Sequence, residues 1–234
     1  NQSHSHPFLP GVVLNTELQF TSSLNEIAEY GELLVSAVPS QVVRVVLEKF
    51  PSNWKKPVVS VSKGIENNTG MRMSEVISET LHLNSEEIVI LSGPSHAEEV
   101  SLKYPTTVVA ACADIDYARD VQKLFSNDYF RVYSGSDVIG VEIGGAGKNI
   151  IALAAGICHG LGFGDNTMAA LVTRGLEEII RLGTKLGAER ETFSGLSGMG
   201  DLVVTAFSSH SRNRQVGHRI GQGERLEDIL ASME

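Results

Sequence analysis

Between residues 32 and 135 the chain repeats one pattern, a short apolar run followed by a stretch with helical spacing. The runs are ELLVSAVP (32–39), KPVVSVSKG (56–64), EIVILSGP (87–94), TTVVAACA (106–113) and FRVYSG (130–135). Between them lie SQVVRVVLEKF, MRMSEVISETLHL, SHAEEVSL and DIDYARDVQKLF, the last opened by an Asp cap. Strands that read as near-continuous Val, Ile and Leu are buried on both faces, and helices between them cover those faces. A doubly wound α/β domain with a parallel or mixed sheet is predicted over about residues 1–135.

Such sheets bind ligands outside the carboxyl ends of their strands. Two turns fall there, SKG (62–64) and SGPS (92–95). Gly93 permits close backbone approach, Pro94 suits a first helical turn, and Ser95 can donate or accept a hydrogen bond. Each turn alone is an ordinary strand-to-helix connection. Together, with Lys63 flanked by apolar residues, they favour a ligand site.

From Ser136 onward strand signals vanish. SDVIGVEIGGAGKNIIALAAGICHGL reads as one long helix capped by Ser136. Its glycines each cost about 0.8–1.0 kcal/mol relative to alanine in a helix, so they need a reason. A phosphate loop would require Gly, four residues, then Gly-Lys and Ser or Thr. Glu142 stands where the first glycine belongs and Asn149 where the hydroxyl belongs, which excludes that reading. Residues three and four positions from Lys148 are Gly144, Gly145, Ile151 and Ala152, a face of mostly small side chains. A strand or a ligand can approach Lys148 closely there; the plain alternative is a solvated lysine beside a helix crossing.

TMAALVTRGLEEIIRLGTKLGA follows as an amphipathic helix, and then SGLSGMGDLVVTA, in which Asp201 and Thr205 share a helical face. In SSHSRNRQVG, Ser211 is a candidate helix cap with Arg212, Asn213 and Arg214 in the first turn. Basic residues there oppose the helix dipole, a conflict that a bound anion resolves. A solvated basic loop is the bland alternative.

Net charge is −9, which argues against nucleic acid and anionic membranes as partners. The two cysteines, Cys112 and Cys158, lie in apolar surroundings and read as reduced core residues of a cytoplasmic protein. No apolar stretch of 18 residues and no secretory signal are read, so no membrane span is expected. The chain opens NQSHSHPFLPG without an initiator methionine or a strand, and stops at DILASME within a helical pattern. A piece of a longer protein is therefore expected.

The segments VSKGIE, LSGPSHAEEV, FRVYSGSDVIGVEIGGAGKNIIALAAGICHGLGFGDNTMAALVTRGL, GLSGMGDLVVT and SRNRQVG, taken in order, resemble the bacterial NAD(P)-dependent glycerol-3-phosphate dehydrogenases. The resemblance implies a partial Rossmann-like doubly wound sheet over 1–135 and an all-helical substrate domain over 136–234. It implies that Lys148 accepts the proton of the substrate hydroxyl and that Lys63 sits across the site, near nicotinamide and substrate. Asp201 would belong to the catalytic network. Gly93 and Ser95 would touch substrate and Ala97 cofactor. Ser211, Arg212 and Asn213 would hold the phosphate, with Arg212 also reaching the cofactor. NAD or NADP is the implied cofactor, a small phosphate ester the substrate and a homodimer the assembly; no catalytic metal is expected. The product pair would be glycerol 3-phosphate and dihydroxyacetone phosphate, for glycerophospholipid synthesis.

The residues suit that chemistry independently. A lysine acts as base when burial and a neighbouring cation bring its pKa towards 7. Lys63 and Lys148 can supply that repulsion, and Asp201 would oppose it. The family's Gly-rich turn and first two strands are absent from the sequence, as is its C-terminal part. Two alternatives stay open. One is another dehydrogenase of this architecture, of the hydroxyacid or 6-phosphogluconate type; the other is a non-catalytic fragment or dimerisation module.

Overall fold

The computed structural model describes residues 5–6 and 9–233. The remainder of the opening segment, residues 1–4 and 7–8, lies outside the described residues. The opening does contain strands, contrary to expectation: β1 (Ser5–His6) pairs antiparallel with β2 (Leu9–Val13). Helix α1 (Leu24–Tyr30), also unforeseen, follows Ser23, whose side chain accepts from the Glu26 amide.

The main sheet then forms in chain order. Its strands and the helices between them are β3 (Leu34–Ser36), α2 (Val43–Leu47), β4 (Val58–Ser60), α3 (Met73–Leu81), β5 (Ile88–Ser92), α4 (Ala97–Ser101), β6 (Thr106–Ala111), α5 (Ile115–Phe125) and β7 (Phe130–Gly135). The strands lie in the order β3-β4-β5-β6-β7. Strands β3, β4 and β5 are parallel, β6 runs antiparallel to β5, and β7 is parallel to β6. The reversal lies at the connection of residues 93–105, which carries only the short helix α4 between β5 and β6.

Alternate strand residues face opposite sides, as the pleat requires. Val58, Ile88 and Ile90 pack with Phe50, Trp54, Met73 and Ile77 on one face. Val59, Val89 and Leu91 pack with Val108, Ala118 and Val121 on the other. Both faces are dry, which is why these strands read as unbroken apolar runs.

After β7 the chain is helical: α6 (Val138–Gly160), α7 (Asp165–Lys185), a π-helical turn at Leu196–Gly200, α8 (Asp201–Phe207), α9 (Arg212–Gly221) and α10 (Leu226–Ala231). Helix α10 ends at Ala231 with Ser232 as its cap, short of Met233, and Glu234 lies outside the described residues. The α6 cap is Asp137, not the expected Ser136. One oxygen of Asp137 accepts from the Gly140 amide at 2.8 Å and the other from the Glu189 amide at 2.9 Å. A carboxylate satisfies two separate donors here and also ties down the loop after α7, which Ser136, one residue earlier, does not do.

Helix α6 runs through the middle of the helical half and is long and apolar enough, by composition, to cross a bilayer. Here it is a core helix. Ile143 and Ala155 on α6 pack with Met168, Ile179 and Ile180 of α7 and with Leu202 and Ala206 of α8.

Candidate active site

Asp201, the first residue of α8, is 1% exposed and receives two ammonium groups. Lys63 Nζ lies 2.6 Å from one carboxylate oxygen, and Lys148 Nζ bonds the other. Lys63 leaves the carboxyl end of β4 and also donates to the Gly93 carbonyl, at 2.9 Å, just beyond β5. Lys148 comes from the middle of α6 and is 8% exposed. Three segments far apart in sequence thus meet on one buried carboxylate.

The glycines explain the approach. A Cβ on Gly144 would stand 2.6 Å from the Ser197 carbonyl, so the π-helical turn that delivers Asp201 can lie directly on α6. A Cβ on Gly145 would stand 3.0 Å from Ser92 Oγ and 3.6 Å from Lys63 Cγ. The small face of α6 therefore seats the edge of the sheet and the stem of Lys63. Gly93 has φ +150°, and a side chain there would stand 2.9 Å from Val108 Cα.

Burial, and after it the charge of Lys63, brings the Lys148 pKa down from 10.5 to about 8; Asp201 pulls the other way and does not win. This ranking agrees with the geometry, since the ammonium is almost out of solvent while its carboxylate is shared.

A cavity of 730 Å³ opens beside Lys63, between Pro39 and Ser40 after β3 and Arg212 and Asn213 at the start of α9. Its size suits a small ligand. Ser211 is buried and caps α9, its Oγ accepting from the Arg214 amide at 3.3 Å. Arg212 and Asn213 are exposed to the cavity. Ser95 is exposed and donates to the Gly93 carbonyl at 3.1 Å, and Ala97 opens α4 on the surface. The His96 and His210 rings, 5.8 Å apart, set this turn beside the loop that leads into α9. Lys63, Gly93, Lys148 and Asp201 are thus joined directly, Arg212 and Asn213 share the cavity wall with Lys63, and Ser95 and Ala97 lie outside that wall on the exposed turn after β5.

Several residues here escaped the sequence reading. Glu142, noted only for standing where a phosphate loop needs glycine, is a buried anchor. Its oxygens accept from the Ser74 amide at 2.8 Å, from Ser74 Oγ at 2.6 Å and from Arg72 at 2.8 Å. Burial pushes its pKa up against those hydrogen bonds. A lone carboxylate inside an apolar helix was the available signal. Ser92 Oγ is buried with no hydrogen-bond partner among the described residues. A second cavity, of 580 Å³, lies between α3 and the Gly187–Glu189 loop, with Arg72 and Glu75 on its wall. Those two side chains pair with each other, so the reactive cluster lies elsewhere.

A doubly wound sheet whose carboxyl edge faces a helical bundle, with two lysines and one carboxylate at the junction, defines a dehydrogenase of the dinucleotide-binding type. Comparison with known proteins narrows the class. The family described as NAD-dependent glycerol-3-phosphate dehydrogenase matches twice, its N-terminal part at residues 1–118 and its C-terminal part at 137–234. The chain is 55% identical to the glycerol-3-phosphate dehydrogenase (NAD(P)+) of Lysinibacillus sphaericus, covering 100% of this chain and 70% of that protein. Identity to the Bacillus subtilis enzyme of the same name is 52%, over 100% of this chain and 69% of that one. The solved glycerol-3-phosphate dehydrogenase of Coxiella burnetii superposes with TM-score 0.90 at 33% identity, over 96% of this chain and 69% of that one. The chain belongs to the NAD-dependent glycerol-3-phosphate dehydrogenase family.

Proposed function

We propose that this chain interconverts sn-glycerol 3-phosphate and dihydroxyacetone phosphate with NAD or NADP, supplying the backbone of glycerophospholipids. One observation supports the roles most strongly: a buried lysine with lowered pKa shares the Asp201 carboxylate with a second lysine at the edge of the sheet. Residues 1–135 serve as the dinucleotide-binding unit and 136–234 as the substrate unit. The setting we propose is a cytoplasmic homodimer; the free thiols of Cys112 and Cys158 suit a reducing compartment.

The groups present suit a dinucleotide. Gly93 allows backbone approach, Ser92 Oγ is a buried hydroxyl in need of a partner, and Lys63 and Arg212 flank one cavity. Lys63, Ala97 and Arg212 are the residues to hold it. When bound, NAD(P) supplies the ring that accepts or returns the hydride.

The protein's own part is to place charge and move a proton. With a pKa of about 8, about a tenth of Lys148 is neutral at pH 7 and ready to accept the hydroxyl proton. In the reducing direction its ammonium returns that proton to the developing alkoxide. Lys63 keeps a cation beside the reacting oxygen, and Asp201 holds both lysines in register. The first turn of α9 offers the phosphate free amides, the positive end of a helix dipole and the Arg212 fork. The Ser211 hydroxyl, while accepting from Arg214, keeps its own hydrogen to donate to the phosphate. Gly93 and Ser95, on the turn after β5, contact the substrate.

A substrate panel tests this reading. Following nicotinamide reduction, glycerol 3-phosphate should be turned over while 6-phosphogluconate and short hydroxyacids are not. Preferred turnover of either competitor would replace the reading.

A further inference from the structure

Helices α6 and α9 pack against each other away from the reactive cluster. His159, in the last turn of α6, and His218, in α9, point their Nδ1 atoms at each other across 2.9 Å, with ring centroids 4.8 Å apart. The backbones that carry them are pressed together glycine on glycine. A Cβ on Gly160 would overlap the His218 carbonyl, and one on Gly221 would stand 3.0 Å from Gly160 Cα. The imidazoles therefore project from two closely seated helices rather than from loops. His159 is exposed and His218 half-buried, so the pair is open to small solutes.

Two nitrogens held about 2.0–2.1 Å from one ion stand about 2.8–3.0 Å apart at a right angle and about 3.3–3.4 Å apart in a tetrahedron. The observed spacing fits the first and lies a small ring rotation from the second. Imidazole pairs suit Ni²⁺, Cu²⁺ and Zn²⁺, whereas Mg²⁺ and Ca²⁺ prefer oxygen. We propose that His159 and His218 form a two-imidazole site for a borderline divalent metal, which clamps the end of α6 to α9. Proton accounting is simple. The imidazole that donates through Nδ1–H shifts its proton to Nε2, so both Nδ1 lone pairs face the ion with no net proton release. No group of three or more His, Cys, Asp or Glu surrounds a common point among the described residues, so water completes the coordination. The carboxylate of Glu224, electrostatically coupled to His218, is engaged by Arg219 at 2.9 Å and is not counted as a ligand. Arg212 lies about 9 Å back along α9, so the clamp acts on stability rather than on the phosphate turn.

Thermal unfolding of the full chain tests this. Ni²⁺ or Zn²⁺ at a hundredfold excess over its dissociation constant should raise Tm by about 5 °C or more, and EDTA should reverse the rise. Mg²⁺ should give no rise. His159→Ala and His218→Ala should each abolish the Ni²⁺ effect, while Cys158→Ser keeps it. Because His159 is exposed, its variant stays folded and decides the matter even if His218→Ala does not. No shift in the wild type, an equal shift with Mg²⁺, a shift that survives His159→Ala, or its loss in Cys158→Ser would each overturn the proposal.

Discussion

The middle of α6 and the first turn of α9 each carry a cation near Lys63, yet they are built in opposite ways. Lys148 is nearly out of solvent, seated on glycines and bonded to a buried carboxylate. Arg212 stands exposed on the wall of a 730 Å³ cavity. The contrast teaches how each cation is used. Burial changes what Lys148 is, because desolvation favours its neutral, basic form. Exposure leaves the Arg212 guanidinium fork open to an anion, a group suited to holding charge and not to moving a proton.

The largest expected effect follows from that difference. Lys148→Ala should lower kcat by at least about 100-fold, since a general base contributes roughly 10² to 10⁴. The fold should survive, because the site already faces glycines. A folded variant that keeps half its activity would erase the distinction between the two regions.

Asp201→Asn comes next. It removes the anion that offsets two lysines, and breaking a buried pair from one side costs about 3 kcal/mol or more. Denaturant unfolding should show the loss. An unchanged midpoint would mean that the carboxylate does not bind the cluster together.

Arg212→Ala should act chiefly on KM. A charged hydrogen bond is worth roughly 1.5–3 kcal/mol, and solvent places this one at the lower end, so a rise of about tenfold is expected. Turnover should change less, because phosphate is held equally in ground and transition states. A loss confined to kcat would make the α9 turn part of the chemistry and dissolve the comparison.

The local features of both regions were legible in the sequence. The Ser211 cap and the small face around Lys148 are local patterns, readable from spacing of three or four residues, and both are present as read. The strand runs were legible because burial on both faces leaves an unbroken apolar signature. What stayed hidden depended on distant partners or on connection length. Glu142 finds Ser74 at a separation of 68 residues, and nothing local to either announces the other. The antiparallel direction of β6 beside β5 is a matter of pairing between strands, which composition does not reveal. The preference for Asp137 over Ser136 as cap rests on a second donor, the Glu189 amide, 52 residues away. The π-helical turn before Asp201 was visible only as closely spaced glycines, whose purpose requires α6 beside them.

The central claim is that burial makes Lys148 the base, and the pH dependence of kcat/KM for glycerol 3-phosphate oxidation tests it most directly. Neutral Lys148 is the active form, so activity should rise with pH through an apparent pKa of about 8 and level off above it. The value belongs to the cluster of Lys148, Lys63 and Asp201 as a coupled set. In Lys148→Ala that limb should vanish from the residual activity. A limb near the ordinary lysine value of about 10.4, or an unchanged limb in the Lys148→Ala variant, would contradict the account.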